Sequence, residues 1–255
     1  MVKLVASDID GTLLRYGAAE IPEEIFREID RLAEKGVLFC PASGRQYQSL
    51  RGLFAPVADR VPFLCENGAI VYGAGSPGPV LGKTVMDREL ALALSREIMA
   101  LPGTEVLISG ENTSYLCPKS PDFADVVLYF VGNNTTVVPT PEDVPEEIIK
   151  VSAYCPDRMG ETRLALRRWG ERFRMAEGGP AWLDFNLADK GTGLRQLCRA
   201  FGVELAEVMA FGDNYNDLPM LTLAGHPYLM ETAAPELLAR IPNHCGNVAE
   251  VLRTL

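Results

Sequence analysis

The sequence predicts an α/β fold, a parallel sheet with crossover helices interrupted by an inserted α+β module. Three observations lead there. Short apolar runs alternate with amphipathic helical stretches at both ends of the chain, which indicates a parallel sheet covered by helices. The middle of the chain changes to helix-strand-strand units, and a Gly- and Pro-rich linker, "YGAGSPGPVLG", marks the change.

The first run, "KLVAS", reads as a buried strand. "IPEEIFREIDRLAEKG" follows as a helix: Pro22 suits the first helical position, Ile25, Ile29, Leu32 and Ala33 recur at helical spacing, and Gly36 supplies the stop. "VLFCPA" is a second strand, and "SGRQYQSLRGLF" turns into a helix. "VPFLCENGAIVYG" gives a third apolar strand, an Asn-Gly turn and a short continuation. The module opens with the amphipathic helix "MDRELALALSREIMALPG", and "TEVLISG" and "TSYLCPK" then form a hairpin. "EEIIKVSAYC" is a strand, "MGETRLALRRWGERF" a helix, and "FRMAEG" and "AWLDFNL" a second strand pair. From Lys190 the first style returns. "KGTGLRQLCRAFG", "EVMAF", "LPMLTLAG", "HPYLM", "APELLARI" and "NVAEVLRTL" read as helix, strand, helix, strand, helix and helix. The core is therefore discontinuous, residues 1–81 and 188–255, around an insertion at 82–187.

The chain has 255 residues, 47% of them apolar, which is ample for a core. Its net charge is -10, from 24 Lys+Arg against 34 Asp+Glu, which argues against a general nucleic-acid binder. An acidic chain that takes an anionic substrate needs a local device, such as a metal ion or a helix N-terminus. Cys40, Cys65, Cys117, Cys155, Cys198 and Cys245 form no C-x-x-C pair and sit in or beside apolar runs, as reduced core thiols do. No signal-peptide pattern opens the sequence, and no apolar run approaches the ~20 residues of a membrane span. The expectation is a soluble cytoplasmic protein with no membrane or nucleic-acid partner, whose oligomeric state is not readable.

Open parallel sheets bind ligands at the carboxyl ends of their strands. Here the strands end in polar signals: Asp8-Ile9-Asp10, Ser43-Gly44-Arg45 and Gly212-Asp213-Asn214-Tyr215-Asn216-Asp217. Asp8, Asp10 and Asp213 together would repel one another without a cation, and hard oxygen ligands near phosphate suit Mg²⁺. A hydroxyl of Thr12 or Ser43 and the ammonium of Lys190 are suitable partners for phosphoryl oxygens. Arg45 either reaches a substrate group or anchors its own helix, and Asn67 lies where turn chemistry alone explains it. His226 and His244 are isolated and read as structural. Tyr115, Tyr129, Trp169 and Trp182 serve core packing or line a pocket in the insertion.

In order and context, "DIDGTL", "ASGR", "DKG" and "GDNYNDLPML" resemble the four motifs of the haloacid dehalogenase superfamily, closest to its Cof-type (class IIB) phosphatase branch. "ENGA", "AGHPYLME" and "GNVAEVL" echo further segments of that branch, and the resemblance covers nearly the whole chain. It departs at Met230-Glu231-Thr232-Ala233, where the branch often carries an Asn, and at Cys245-Gly246-Asn247-Val248, where it often reads Asp-Gly-Val.

The resemblance implies a Rossmann-like, three-layer α/β/α core with a substrate-selecting cap. It implies that Asp8 is the nucleophile forming an aspartyl-phosphate and that Asp10 is the general acid and base. Asp8 and Asp213 would hold Mg²⁺ by their side chains and Asp10 by its backbone carbonyl. Thr12, Ser43 and Gly44 would bind the phosphoryl group, with Asn216 touching it, Lys190 offsetting its charge and Asp217 acting from behind. Arg45 and Asn67 would complete the substrate contacts. The expected activity is Mg²⁺-dependent hydrolysis of a small phosphomonoester, a sugar phosphate above all. A phosphomutase of the same fold, or a non-enzymatic receiver-like or phosphometabolite-binding module, is the alternative.

Overall fold

The computed structural model describes residues 1–15, 18–178 and 181–255, and the side chains of Tyr129 and Phe130 lie outside that description. In chain order the principal elements begin with β1 (Leu4–Ser7), α1 (Glu23–Glu34), β2 (Leu38–Pro41) and α2 (Tyr47–Leu53). They continue with β3 (Phe63–Cys65), β4 (Ile70–Tyr72), β5 (Val80–Lys83) and α3 (Arg88–Ala100). Next come β6 (Glu105–Ser109), β7 (Ser114–Leu116), α4 (Pro121–Asp125) with a π-helical turn Val126–Val131, and β8 (Thr135–Val137). β9 (Lys150–Tyr154), α5 (Met159–Leu166), β10 (Arg174–Glu177) and β11 (Trp182–Asn186) follow. The chain closes with α6 (Lys190–Phe201), β12 (Val208–Gly212), α7 (Leu218–Leu221), β13 (His226–Met230), α8 (Pro235–Leu238), β14 (His244–Cys245) and α9 (Val248–Leu252). No helix among the described residues is long and apolar enough to cross a membrane.

Two compact units form. One comprises Met1–Ser43, Leu50–Gly82 and Asp189–Leu255; the other comprises Lys83–Ala188 together with Gly44–Ser49. The first is built on a five-stranded sheet in the order β14-β13-β12-β1-β2, every pairing parallel. β1 lies inside the sheet, between β12 and β2, and is fully buried, as its run requires when helices cover both faces. Leu4, Ala6, Cys40, Val208 and Ala210 from its strands join Leu194, Leu197 and Leu221 from its helices in one core.

Three sequence expectations shift here. Pro22 sits at the N-cap, one residue before α1, and Ala33 is exposed because the buried stripe of Ile25, Ile29 and Leu32 leaves it at the margin. The third apolar strand, β3, does not extend the parallel sheet. It pairs antiparallel with β4 and joins β2's continuation through the parallel Ala42–Leu64 bridge, not as a full strand of the five-stranded sheet. The reason lies in three consecutive left-handed residues, Glu66 (φ 52), Asn67 (φ 53) and Gly68 (φ 88), which turn the chain back on itself. Part of the expected linker becomes β5, the third strand of that small sheet.

The inserted unit is a six-stranded sheet in the order β10-β11-β9-β6-β7-β8, antiparallel except for the β7–β8 edge pair. Both predicted hairpins are present, β6–β7 and β10–β11. Strand alternation sends Val106, Ile108, Val151, Ala153, Leu183 and Phe185 into a core with α3 residues Leu94 and Ile98. Tyr115 and Trp169 are buried in that core, whereas Trp182 packs with Tyr154 and Phe123 on the other face. The predicted helix after β9 is shorter than its sequence pattern, closing as a 3₁₀ turn at Arg167–Glu171.

Candidate active site

The parallel sheet brings its polar strand ends together by register. Ser7 pairs with Phe211 on one side and with Pro41 on the other, so the residues that follow β12, β1 and β2 leave the same sheet edge side by side. The pairing runs one step further, with Asp8 N–H donating to the Phe211 carbonyl and Ala42 N–H to that of Ser7. Beyond Asp8 the chain closes a tight loop. Thr12 and Leu14 N–H both donate to the Ile9 carbonyl, and Gly11 takes φ 95, which a side chain disfavours. That loop buries Asp8 and Thr12 and leaves Asp10 half-exposed.

Lys190 enters from the first turn of α6. Asp189 caps that helix, its Oδ1 accepting from Thr192 N–H at 2.7 Å and from Thr192 Oγ1 at 2.9 Å. A cation at a helix N-terminus opposes the helix dipole. Here two carboxylates compensate, because the fully buried Lys190 Nζ donates to Asp8 Oδ1 and to Asp217 Oδ1, each at 2.5 Å. Asp217 is committed at its other oxygen too, where Oδ2 accepts from the N–H groups of Asp213 and Asn214, both at 3.0 Å. It thereby shapes the loop that presents Asp213.

Burial, then the charge of Asp217, push the Asp8 carboxyl up to about 7 against the pull of Lys190. Burial works to lower the lysine, yet the charges of Asp217 and Asp8 outweigh it, and the ammonium is held above its ordinary range. Asp8 Oδ2 and Thr12 Oγ1 are buried with no hydrogen-bond partner among the described residues. Orphaned polar atoms of this kind call for an external partner. Carboxylate oxygens of Asp8, Asp213 and Asp217 lie within 4.8 Å of one another. With both Asp217 oxygens already in use, the donors that fit a hard divalent cation are Asp8 and Asp213.

Ser43 is buried beside this group. Its N–H donates to the Leu64 carbonyl at 2.9 Å and its own carbonyl accepts from Asn67 N–H at 3.0 Å. Asn67 Oδ1 accepts from Asn216 Nδ2 at 3.4 Å, which ties the left-handed turn to the loop after β12. Gly44 and Arg45 are not part of this unit. They fall in the short segment that groups with the insertion, where the Gly44 carbonyl accepts from Lys150 Nζ at 3.3 Å. His244 faces the carbonyls of Leu238 and Ile241.

Sequence reasoning missed Gly68 and Gly193. A Cβ on Gly68 would lie 2.1 Å from the Asp189 carbonyl oxygen, and one on Gly193 would lie 2.8 Å from Gly68 Cα. The turn after β3 is thus seated directly on the helix start that carries Lys190. The glycines of "ENG" and "KGTG" were the available signal, but only the tertiary fold pairs them.

A family model described as haloacid dehalogenase-like hydrolase matches residues 5–250. The chain is 27% identical over 254 residues to the 5-amino-6-(5-phospho-D-ribitylamino)uracil phosphatase YbjI of Escherichia coli, covering 96% of this chain and 91% of that one. A crystal structure from Eubacterium rectale superposes with a TM-score of 0.86 at 30% identity, over 99% of this chain and 98% of that one. The HAD subclass IIB sugar phosphatase BT4131 shares the fold, with a TM-score of 0.82 at 21% identity, over 99% and 98% of the two chains.

Proposed function

The chain belongs to the haloacid dehalogenase-like hydrolases, and from that premise we propose that it hydrolyses a small phosphomonoester with the help of Mg²⁺. The observation that carries this reading is the orphaned Asp8 Oδ2, held in place because Lys190 occupies the other oxygen. A carboxylate fixed at one oxygen and unpartnered at the other is arranged as a nucleophile. Support for a phosphoester comes also from the Escherichia coli relative, whose name specifies a phosphatase acting on a phosphorylated ribityl chain.

Asp8 attacks phosphorus and the ester oxygen departs as an alcohol, taking its proton from Asp10. The resulting aspartyl-phosphate is cleaved by a water that gives its proton back to Asp10, which regenerates Asp8 and releases inorganic phosphate. Thr12 and Ser43 hydroxyls hold phosphoryl oxygens, Asn216 reaches the same group, and Asn67 steadies Asn216. Lys190 offsets the negative charge that builds as the phosphoryl group transfers. Asp217 keeps Lys190 and Asp213 in position. Asp8 and Asp213, with the Asp10 carbonyl, would hold Mg²⁺, which when bound neutralises phosphoryl charge and allows two anions to meet.

The inserted unit selects the alcohol portion of the substrate, and Gly44 and Arg45 act with it. The test is phosphate release from a panel of sugar, alditol and nucleoside phosphates with Mg²⁺. Turnover is expected from the wild type and none from Asp8→Asn. An Asp8→Asn protein with full turnover would overturn the assignment, and transfer of the phosphoryl group to a second hydroxyl instead of water would make the enzyme a mutase.

A further inference from the structure

β1 is buried along its whole length, and its last residue breaks its apolar character. Ser7 has no solvent exposure, and register sets it between Phe211 of β12 and Pro41 of β2. Paired residues point to the same side of a sheet, so the hydroxyl lies in an apolar layer. A hydroxyl buried there costs stability unless it is hydrogen-bonded, and an alanine would carry no such cost. The hydroxyl is bonded: Ser7 Oγ donates to the Asp8 carbonyl at 2.9 Å.

That bond stands where the sheet stops. The β1–β12 ladder ends with Asp8 N–H donating to the Phe211 carbonyl at 2.9 Å. In a parallel ladder the next rung would run from Asp213 N–H to the Asp8 carbonyl. Asp213 N–H instead donates to Asp217 Oδ2 at 3.0 Å, the bond that shapes its own loop. The two strand ends thereby part, and the Asp8 carbonyl is held from within its own strand. Asp8 is fixed through its N–H by β12, through its carbonyl by Ser7 and through Oδ1 by Lys190. Only Oδ2 is left to act.

We propose that Ser7 is a positioning residue for the nucleophile: its hydroxyl replaces the missing rung and fixes the Asp8 peptide, so that Oδ2 is aimed before a phosphoester arrives. This rests on the phosphoester hydrolysis proposed above. Thr12, Ser43 and Lys190 bind the phosphoryl group in that reading, and Ser7 acts only through Asp8. Its loss therefore weakens the transition state and leaves ground-state binding of phosphate in place.

Ser7→Ala, Ser7→Cys and Val5→Ala test the proposal in the full chain with Mg²⁺. Ser7→Ala removes the donor, and Ser7→Cys fills the space with a weak one. Both are expected to lower kcat/KM for 4-nitrophenyl phosphate about ten- to a hundredfold, as a misaimed reacting group does. The inhibition constant of inorganic phosphate is expected to stay within about twofold of wild type. Val5 is fully buried on the same face of β1 and supplies the control for packing. Val5→Ala is expected to lower the melting temperature more than Ser7→Ala and to keep wild-type kcat/KM. Unchanged kcat/KM in Ser7→Ala, wild-type kcat/KM in Ser7→Cys, or an equal loss in Val5→Ala overturns the proposal. If Ser7→Ala does not fold, Ser7→Cys decides alone.

Beryllium fluoride with Mg²⁺ reads the same aim without turnover, since beryllium bonds a carboxylate oxygen that displaces a fluoride or a water. Fluorine NMR is expected to show this adduct in the wild type and to find it about tenfold weaker in Ser7→Ala. That weakening, with a wild type that releases no phosphate from any ester, would sink the hydrolase reading and keep the role of Ser7. Phosphate release with equal rates and equal adducts in wild type and Ser7→Ala would do the opposite. A wild type with neither adduct nor turnover overturns both.

Discussion

Lys190 Nζ and Asp217 Oδ1 lie 2.5 Å apart, and neither side chain has any solvent exposure. The same ammonium holds Asp8, so one buried cation sets the geometry of two carboxylates from different strand ends. Their mutual dependence makes the centre brittle in a way that surface pairs of this protein are not.

Lys190→Met is expected to cost about 3–5 kcal/mol at neutral pH, because removing one partner strands the buried carboxylates that remain. The exposed pair Arg27–Glu23, 67% and 83% exposed, supplies the contrast. Arg27→Met is expected to change stability by less than about 1 kcal/mol. Urea midpoints of the two variants, measured side by side, check the difference.

Gly68 and Gly36 give a second contrast, since both are left-handed, at φ 88 and φ 74. A Cβ on Gly36 meets nothing within 4 Å, whereas on Gly68 it meets the Asp189 carbonyl at 2.1 Å. Gly36→Ala is expected to cost about 1–2 kcal/mol for the backbone alone. Gly68→Ala adds overpacking of about 1–3 kcal/mol and displaces the helix start that carries Lys190. A thermal melt and a rate measurement together decide it: Gly68→Ala loses activity, and Gly36→Ala does not.

How far the sequence reveals this centre follows from how local each feature is. Asp8, Ser43 and Asp213 stand directly after apolar runs, so strand ends and acids can be read together. The burial of Lys190 is not local. A lysine followed by glycine reads as a solvated helix start, and only the carboxylates of Asp8 and Asp217, far away in sequence, make its burial tolerable. The Gly68–Gly193 approach is tertiary for the same reason. β8 and the Gly44–Ser49 grouping escape because a three-residue edge strand lacks a period, and because Gln46 declares its place only through hydrogen bonds to Ser114 and Asn134.

Magnesium is expected to raise the melting temperature of the wild type and to leave that of Asp213→Asn nearly unchanged. The ion relieves repulsion between Asp8 and Asp213 and binds only the folded state, which at a hundredfold excess over Kd stabilises by about 2.7 kcal/mol. Thermal shift with and without EDTA measures this apart from turnover, and an equal shift in both proteins would remove Asp213 from the ligand set.

All six cysteines are buried as thiols, outside any disulfide. Burial pushes the thiols of Cys117, Cys198 and Cys245 up to about 11, and those of Cys40 and Cys155 upward as well. At pH 8 a thiol of pKa 11 is thiolate in roughly one molecule in a thousand, and the thiolate is the reactive form. The folded protein is therefore expected to give no rapid reaction with an aromatic disulfide reagent at pH 8, and six equivalents after guanidinium unfolding. A fast equivalent in the native protein would identify a cysteine less enclosed than these.

Asp10→Asn separates the two halves of the reaction. A sugar or alditol oxygen is a poor leaving group and needs the proton of Asp10, so turnover of ribitol 5-phosphate is expected to fall by about 10²–10⁴. Nitrophenolate departs without a proton, so Asp10→Asn should still transfer the phosphoryl group of 4-nitrophenyl phosphate to Asp8. Hydrolysis of the aspartyl-phosphate then lacks its base. Rapid mixing is expected to show a burst approaching one equivalent of nitrophenolate per enzyme, followed by a slow steady state. If instead the variant shows no burst and loses both substrates equally, Asp10 does not act on the leaving group, and the acid must be sought elsewhere in the centre.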